Sequence, residues 1–177
     1  MKVYETSRIR NITLIGNKGV GKTSILDALL FCSGANTRIG SVSGGTSAVD
    51  YDPSEIKRQQ TLISKVIPCE WNGYKINLID TPGYADFIGE VLSGLWVSDF
   101  ACLVVDASGG IDIQTKRLYK YATEWNKPVM FFINKCDSER ADVDKMLASI
   151  RETLNPKAVL VEAPMGSGAG FNGVVAF

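Results

Sequence analysis

Eight residues, Gly16-Asn17-Lys18-Gly19-Val20-Gly21-Lys22-Thr23, constrain this chain more than any other stretch. They fill every fixed position of G-x-x-x-x-G-K-[ST] and follow an apolar run, Ile12-Thr13-Leu14-Ile15, that reads as a buried strand. A strand, a glycine-rich loop and a helix in that order commit the chain to an α/β architecture with a ligand site at the strand end. The glycines let successive backbone N–H groups turn inward around phosphate oxygens, and the positive dipole end of a helix starting near Lys22 points at the same spot. Asn17, Lys18, Gly19, Val20, Gly21, Lys22, Thr23 and Ser24 are therefore the candidate phosphate-binding residues. Lys22 is expected on the β- and γ-phosphates and the Thr23 hydroxyl on Mg²⁺.

A second loop names the base. Asn134-Lys135-Cys136-Asp137 follows another apolar strand pattern, Pro128-Val129-Met130-Phe131-Phe132-Ile133. An ionised Asp137 accepts hydrogen bonds from the ring N–H and exocyclic amine of guanine, whereas adenine presents no such donor pair. An acceptor left without its donor costs roughly 1–3 kcal/mol, which disfavours adenine nucleotides. Asn134, Lys135 and Asp137 are the candidate guanine-binding residues, and GTP or GDP the expected ligand. Between the two motifs, Asp80-Thr81-Pro82-Gly83 follows a third strand pattern, Tyr74-Lys75-Ile76-Asn77-Leu78-Ile79. Asp80 is expected to hold Mg²⁺ through water, and the Gly83 N–H to reach the γ-phosphate, so that loss of this phosphate releases the loop. Three loops at the ends of strands of one sheet should converge on one edge.

Ile76-Asn77-Leu78-Ile79-Asp80-Thr81-Pro82-Gly83-Tyr84-Ala85-Asp86-Phe87, with Glu90-Val91 after it, resembles the second switch of the translational GTPases, most closely elongation factor G and elongation factor G-like proteins. Arg58-Gln59-Gln60-Thr61 resembles their first switch, and the resemblance places Thr61 on Mg²⁺ and the γ-phosphate. It covers the chain from about residue 9 onward. It implies a P-loop GTPase fold, GTP hydrolysis with Lys22, Thr61, Gly83 and Tyr84 at the catalytic centre, Thr23, Thr61 and Asp80 around the metal, and the ribosome as partner of the full-length protein. Ala163-Pro164-Met165-Gly166 through Phe171-Asn172-Gly173-Val174-Val175 resembles the start of an insertion inside that family's GTP-binding domain. Residues 1–163 are accordingly expected to form a GTP-binding domain lacking its last guanine loop, and 164–177 the beginning of the insertion, as the front part of a longer protein.

The chain departs from the family where catalysis is decided. Tyr84 stands where translational GTPases carry a histidine that orients the attacking water. A phenol can position water but neither becomes a cation nor serves as a competent base near neutrality. Gly19 replaces an aspartate that helps place a monovalent cation, and Lys18 is free either to face the γ-phosphate or to point into solvent. Gln59 and Gln60 replace Gly-Ile, removing an apolar wall near the water. Two readings stay open: slow or differently stimulated hydrolysis, and a GTP-dependent ribosome-binding protein that barely hydrolyses. A ribosomal protection or peptide-release relative is a third. Intrinsic turnover should be slow, since no arginine is placed at the γ-phosphate by the sequence.

Nineteen basic and nineteen acidic residues cancel in a chain of 177, so charge gives no sign of free nucleic acid or a membrane surface as partner. The N-terminus has no apolar signal-like core and no run is long enough to span a membrane, so a cytoplasmic monomer is expected. Four dispersed cysteines and no histidine speak against disulfides and zinc. The element pattern predicts strands over 10–16, 100–106, 128–133 and 158–161, and helices over 22–33, 87–97, 113–125 and 141–154. An antiparallel hairpin is predicted within 62–79, turning at Asn72-Gly73. The stretch 34–60, rich in Gly, Ser and Thr, reads as a mobile loop. The expected fold is a mostly parallel twisted sheet with helices on both faces and one antiparallel strand.

Overall fold

A computed structural model describes residues 2–177. Its main sheet has five strands in the order β2-β3-β1-β4-β5: β1 Ile9–Ile15, β2 Lys65–Trp71, β3 Tyr74–Asp80, β4 Phe100–Asp106 and β5 Val129–Asn134. β1 runs parallel to β3 and β4, β4 parallel to β5, and β2 alone antiparallel, against β3. The helices are α1 Lys22–Cys32, α2 Pro53–Arg58, α3 Ile88–Val97, α4 Ile113–Glu124 and α5 Val143–Thr153. The fold is thus the expected α/β sheet, with each predicted helix found within a few residues of its expected limits.

Alternation along β4 shows how the layers form. Ala101, Leu103 and Val105 face a core built with Val91 and Leu95 of α3, Leu118 and Ala122 of α4, and Met146 and Ile150 of α5. Cys102 and Val104 face the opposite core, with Leu26 and Leu30 of α1, Leu14, Leu78 and Val49. A strand buried on both faces must be apolar throughout, and β4 is, up to its terminal Asp106. In register, Leu14 lies beside Asp80 and Asp106 beside Asn134, so the ends of β1, β3, β4 and β5 open on one edge. The Asn72-Gly73 turn takes positive φ at both residues, 47° and 81°, as a two-residue hairpin requires.

Three expectations need correction. The strand expected from Leu62 begins at Lys65, because the Leu62 and Ile63 amides donate to Glu55 Oε1 (2.8 and 3.3 Å) and the Ser64 amide to Glu90 Oε2 (2.7 Å). Those donors are not available to β3. Residues 158–161 form no strand of the main sheet: Ala158 and Leu160 turn inward and are half-buried while Val159 and Val161 are 79% and 67% exposed, but the segment joins no ladder with the five strands. The extended segments there are instead β6, Glu162–Pro164, and β7, Val174–Ala176, paired antiparallel as a separate two-stranded sheet. Finally, the stretch 34–60 is not a featureless loop. It contains α2, with Asp52 capping Ser54 N and Pro53 in the first turn, and it buries Ser47, Val49, Asp50 and Glu55.

Candidate nucleotide-binding site

The phosphate loop leaves β1 and enters α1 at Gly21, whose φ of 98° needs no Cβ and which offers no side-chain cap to the first helical N–H groups. Those amides are left to serve a ligand. Lys22 lies almost wholly buried at the floor, its Nζ donating to the carbonyls of Gly16 (2.9 Å) and Asn17 (3.1 Å). Burial pushes its pKa down to about 8, partly offset by the charges of Asp80 and Asp50. An ammonium held this way gains when an anion arrives. Val20 is buried beneath the loop, while Gly19 and Ser24 line its mouth.

Thr23, Thr61 and Asp80 come together from three different parts of the chain. Thr23 Oγ1 donates to Asp80 Oδ2 at 3.0 Å, and Thr61 Oγ1 stands 3.1 Å from both Thr23 Oγ1 and Asp80 Oδ2. Asp50 closes the group, its carboxylate oxygens 3.2 and 3.3 Å from Thr61 Oγ1. Thr61 has one proton to give, so two carboxylates compete for it. Asp80 is fully buried, and its Oδ1 has no hydrogen-bond partner among the described residues. Burial is the main cause that raises its pKa to about 6, with Asp50 adding to the rise and Lys22, Thr23 and Thr61 opposing it, so it is ionised at neutral pH. A buried carboxylate oxygen without a donor, beside two hydroxyls, is a donor set that suits a hard divalent cation with its waters.

The loop after β3 presses on the phosphate loop. A Cβ on Gly83 would stand 2.7 Å from Lys18 N and 2.8 Å from Lys22 Nζ, so only glycine permits this approach. Tyr84 follows and meets the Lys18 side chain. At the end of β5, Asn134 Nδ2 donates to Val20 O (2.8 Å), tying the third loop to the first. Lys135 adopts a left-handed φ of 60° and pairs with Asp106 at 2.8 Å, while Asp137 lies exposed on the loop beyond it. The three loops do converge on one edge.

Sequence reasoning missed the residues that secure the segment carrying Thr61. Lys65, at the start of β2, is paired with Asp50 (3.2 Å) and with Glu55, all three nearly buried. Burial alone would lower the Lys65 pKa; hydrogen bonds to Glu55 and Asp50 more than offset it and hold the group above its ordinary value. Asp27 of α1 is buried and accepts from Ala48 N at 2.9 Å, a second anchor. Asn17 Nδ2 reaches Asp112, the residue that also caps α4 through Thr115 N at 2.7 Å. One signal was legible in advance: Asp52-Pro53-Ser54-Glu55 has the pattern of a capped helix start.

A family model described as the elongation factor Tu GTP-binding domain matches residues 7–175. The chain belongs to that family. As such a GTP-binding domain, it is 38% identical over 175 residues to elongation factor G 2 of Streptomyces coelicolor, covering 99% of this chain and 26% of that protein. It is 40% identical over 167 residues to an elongation factor G-like protein of Thermotoga maritima, covering 94% of this chain and 24% of that one. Mitochondrial ribosome-releasing factor 2 of Danio rerio is 38% identical over 171 residues, covering 97% and 22%. A crystal structure of a Thermus thermophilus protein superposes with a TM-score of 0.89 at 33% identity, covering 96% of this chain and 26% of that one. The chain spans about a quarter of the length of the curated relatives it matches. Among the described residues no helix is long and apolar enough to cross a membrane.

Proposed function

We propose that this GTP-binding domain serves an elongation factor G-like translation factor, binding GTP with Mg²⁺ and hydrolysing it slowly until a ribosome accelerates the reaction. The observation that carries the reading is the meeting of Thr23 and Thr61 on Asp80 Oδ2, with Asp80 Oδ1 left without a partner and Lys22 buried beneath the same phosphate loop. Thr23, Thr61 and, through water, Asp80 would hold the metal; when bound, Mg²⁺ neutralises charge on the phosphates. Lys22 and the loop amides bind the phosphate tail, and the Gly83 N–H holds its outer end. Asn134 and Asp137 take the guanine. Tyr84 orients water by hydrogen bonding, and no covalent intermediate is involved, so catalysis is positional and electrostatic. The protein works as a monomer in the cytoplasm, with 164–177 beginning an insertion in the domain.

A second reading, GTP-dependent ribosome occupancy with little hydrolysis, draws on Tyr84, Gln59 and Gln60, all three of which line the cleft. The name of the mitochondrial relative makes ribosome release a further role within the same class. Single-turnover phosphate release from GTP, with and without ribosomes, decides between them. Stimulation by ribosomes supports the first reading, and a further increase in Tyr84→His would show that the phenol limits the rate. Absence of any stimulation leaves the binding-protein reading.

A further inference from the structure

Lys18 is an exposed residue of the phosphate loop, yet its ammonium lies over the Tyr84 ring, 4.7 Å from the centroid. Both side chains line the same cleft as Lys22, Thr61 and Gly83. The backbone imposes the meeting, because Gly83 approaches Lys18 N and Cα so closely that a Cβ there would stand at 2.7 and 2.8 Å. A lysine on a surface loop ordinarily samples water through four rotatable bonds. The face of a phenol ring attracts an ammonium through its quadrupole and biases this one toward the cleft. Lys18 of the phosphate loop and Tyr84, which stands where the translational GTPases carry a histidine, are thus a single contact.

The position of that contact says what it can touch. Lys22 occupies the floor, held by the Gly16 and Asn17 carbonyls, whereas Lys18 and Tyr84 line the cleft beside Gly83. In the reading given above, on which this inference rests, the Gly83 N–H meets the outermost phosphate. We propose that Lys18 is a specificity-determining residue that recognises the terminal phosphate of the triphosphate, and that Tyr84 is its positioning residue. A lysine acts on phosphate as a movable point charge, so its contribution depends on being held near the oxygen it serves. The inner phosphates are already served by the loop amides and Lys22, so the pair distinguishes triphosphate from diphosphate. A ring carrying positive charge at position 84 would repel Lys18, which makes tyrosine the matching partner.

The test is calorimetry on the full chain with GDP and with a non-hydrolysable β,γ-imido analogue of GTP, both with Mg²⁺. In Lys18→Met the ratio of analogue Kd to GDP Kd is expected to rise about tenfold, equivalent to about 1.4 kcal/mol. Lys18→Arg should stay within about threefold of the parent, since guanidinium keeps both the charge and the stacking. Tyr84→Leu should raise the ratio about threefold, and the double variant no further than Lys18→Met alone, because the ring acts only through the lysine. An unchanged ratio in Lys18→Met, or effects of the two substitutions that add, overturns the proposal. If the parent binds both nucleotides and the ratio does not move, this inference alone falls. If the parent binds neither, the nucleotide reading itself falls and takes the inference with it.

Discussion

Replacing Lys65 by methionine should release the segment that carries Thr61. Lys65 sits between Asp50 and Glu55, with side-chain exposures of 9%, 3% and 2%. Methionine fills a similar volume but leaves two buried carboxylates facing one another without a cation. Removing one partner of a buried ion pair typically costs about 3–5 kcal/mol. Uptake of a proton by one carboxylate limits the loss, so about 3 kcal/mol is the working figure, or a roughly 100-fold rise in the opened population. The loss is local, because Asp50 lies in the loop and Glu55 in α2, both outside the sheet. Amide hydrogen exchange is the direct assay. The Leu62 and Ile63 amides donate to Glu55 Oε1, so their protection should fall by about two orders of magnitude while β4 amides stay protected. Trypsin should also cut faster at Lys57 and Arg58. Adding Glu55→Gln to Lys65→Met should restore part of the protection. Unchanged exchange at 62 and 63 in Lys65→Met would refute the claim that this ion cluster anchors the segment.

Two further outcomes follow from the same geometry. Lys22 has a pKa of about 8 in the free site, and phosphate binds its protonated form, so GDP affinity should weaken as pH rises through about 8, by up to tenfold per unit, and Lys22→Arg should flatten the profile; a flat parent profile between about pH 7 and 9.5 contradicts this. Asn134→Ala removes the hydrogen bond to Val20 O and should weaken GDP and GTP-analogue binding alike by about tenfold, read by fluorescence titration; unaltered affinity would mean that the third loop is held in place without it.

The parts of this domain that the residues announced are those in which a short pattern carries its own geometry. A strand followed by G-x-x-x-x-G-K-T can only turn one way, and β4 reads as buried because Ala101 to Val105 are apolar on both faces. The parts that were not legible depend on partners distant in sequence. Nothing near Leu62 says that its amide belongs to Glu55, so the strand start was misplaced. Val159 and Leu160 have the β-branched and apolar character of a strand, yet they do not pair with β5, the edge strand of the main sheet, and the pairing went to Glu162–Pro164 and Val174–Ala176 instead. Asp50, Glu55 and Lys65 are three charged residues in a polar stretch, where a solvated surface is the ordinary expectation. Only the fold brings them together, with Asp50 against Thr61 and Lys65 between Asp50 and Glu55. Lys18 shows the same limit, since its sequence context left it between phosphate and solvent, and the loop contact at Gly83 sets it on Tyr84.

A guanine nucleotide must occupy the edge where the three loops meet, and titration of the chain with GDP and with ADP under identical Mg²⁺ tests that most directly. GDP should bind at least ten- to a hundredfold more tightly than ADP, on the order of the roughly 1–3 kcal/mol forfeited when a base covers the Asp137 carboxylate, exposed in the free site, without giving it a donor. Equal affinities for the two, or no measurable heat with GDP, would contradict it.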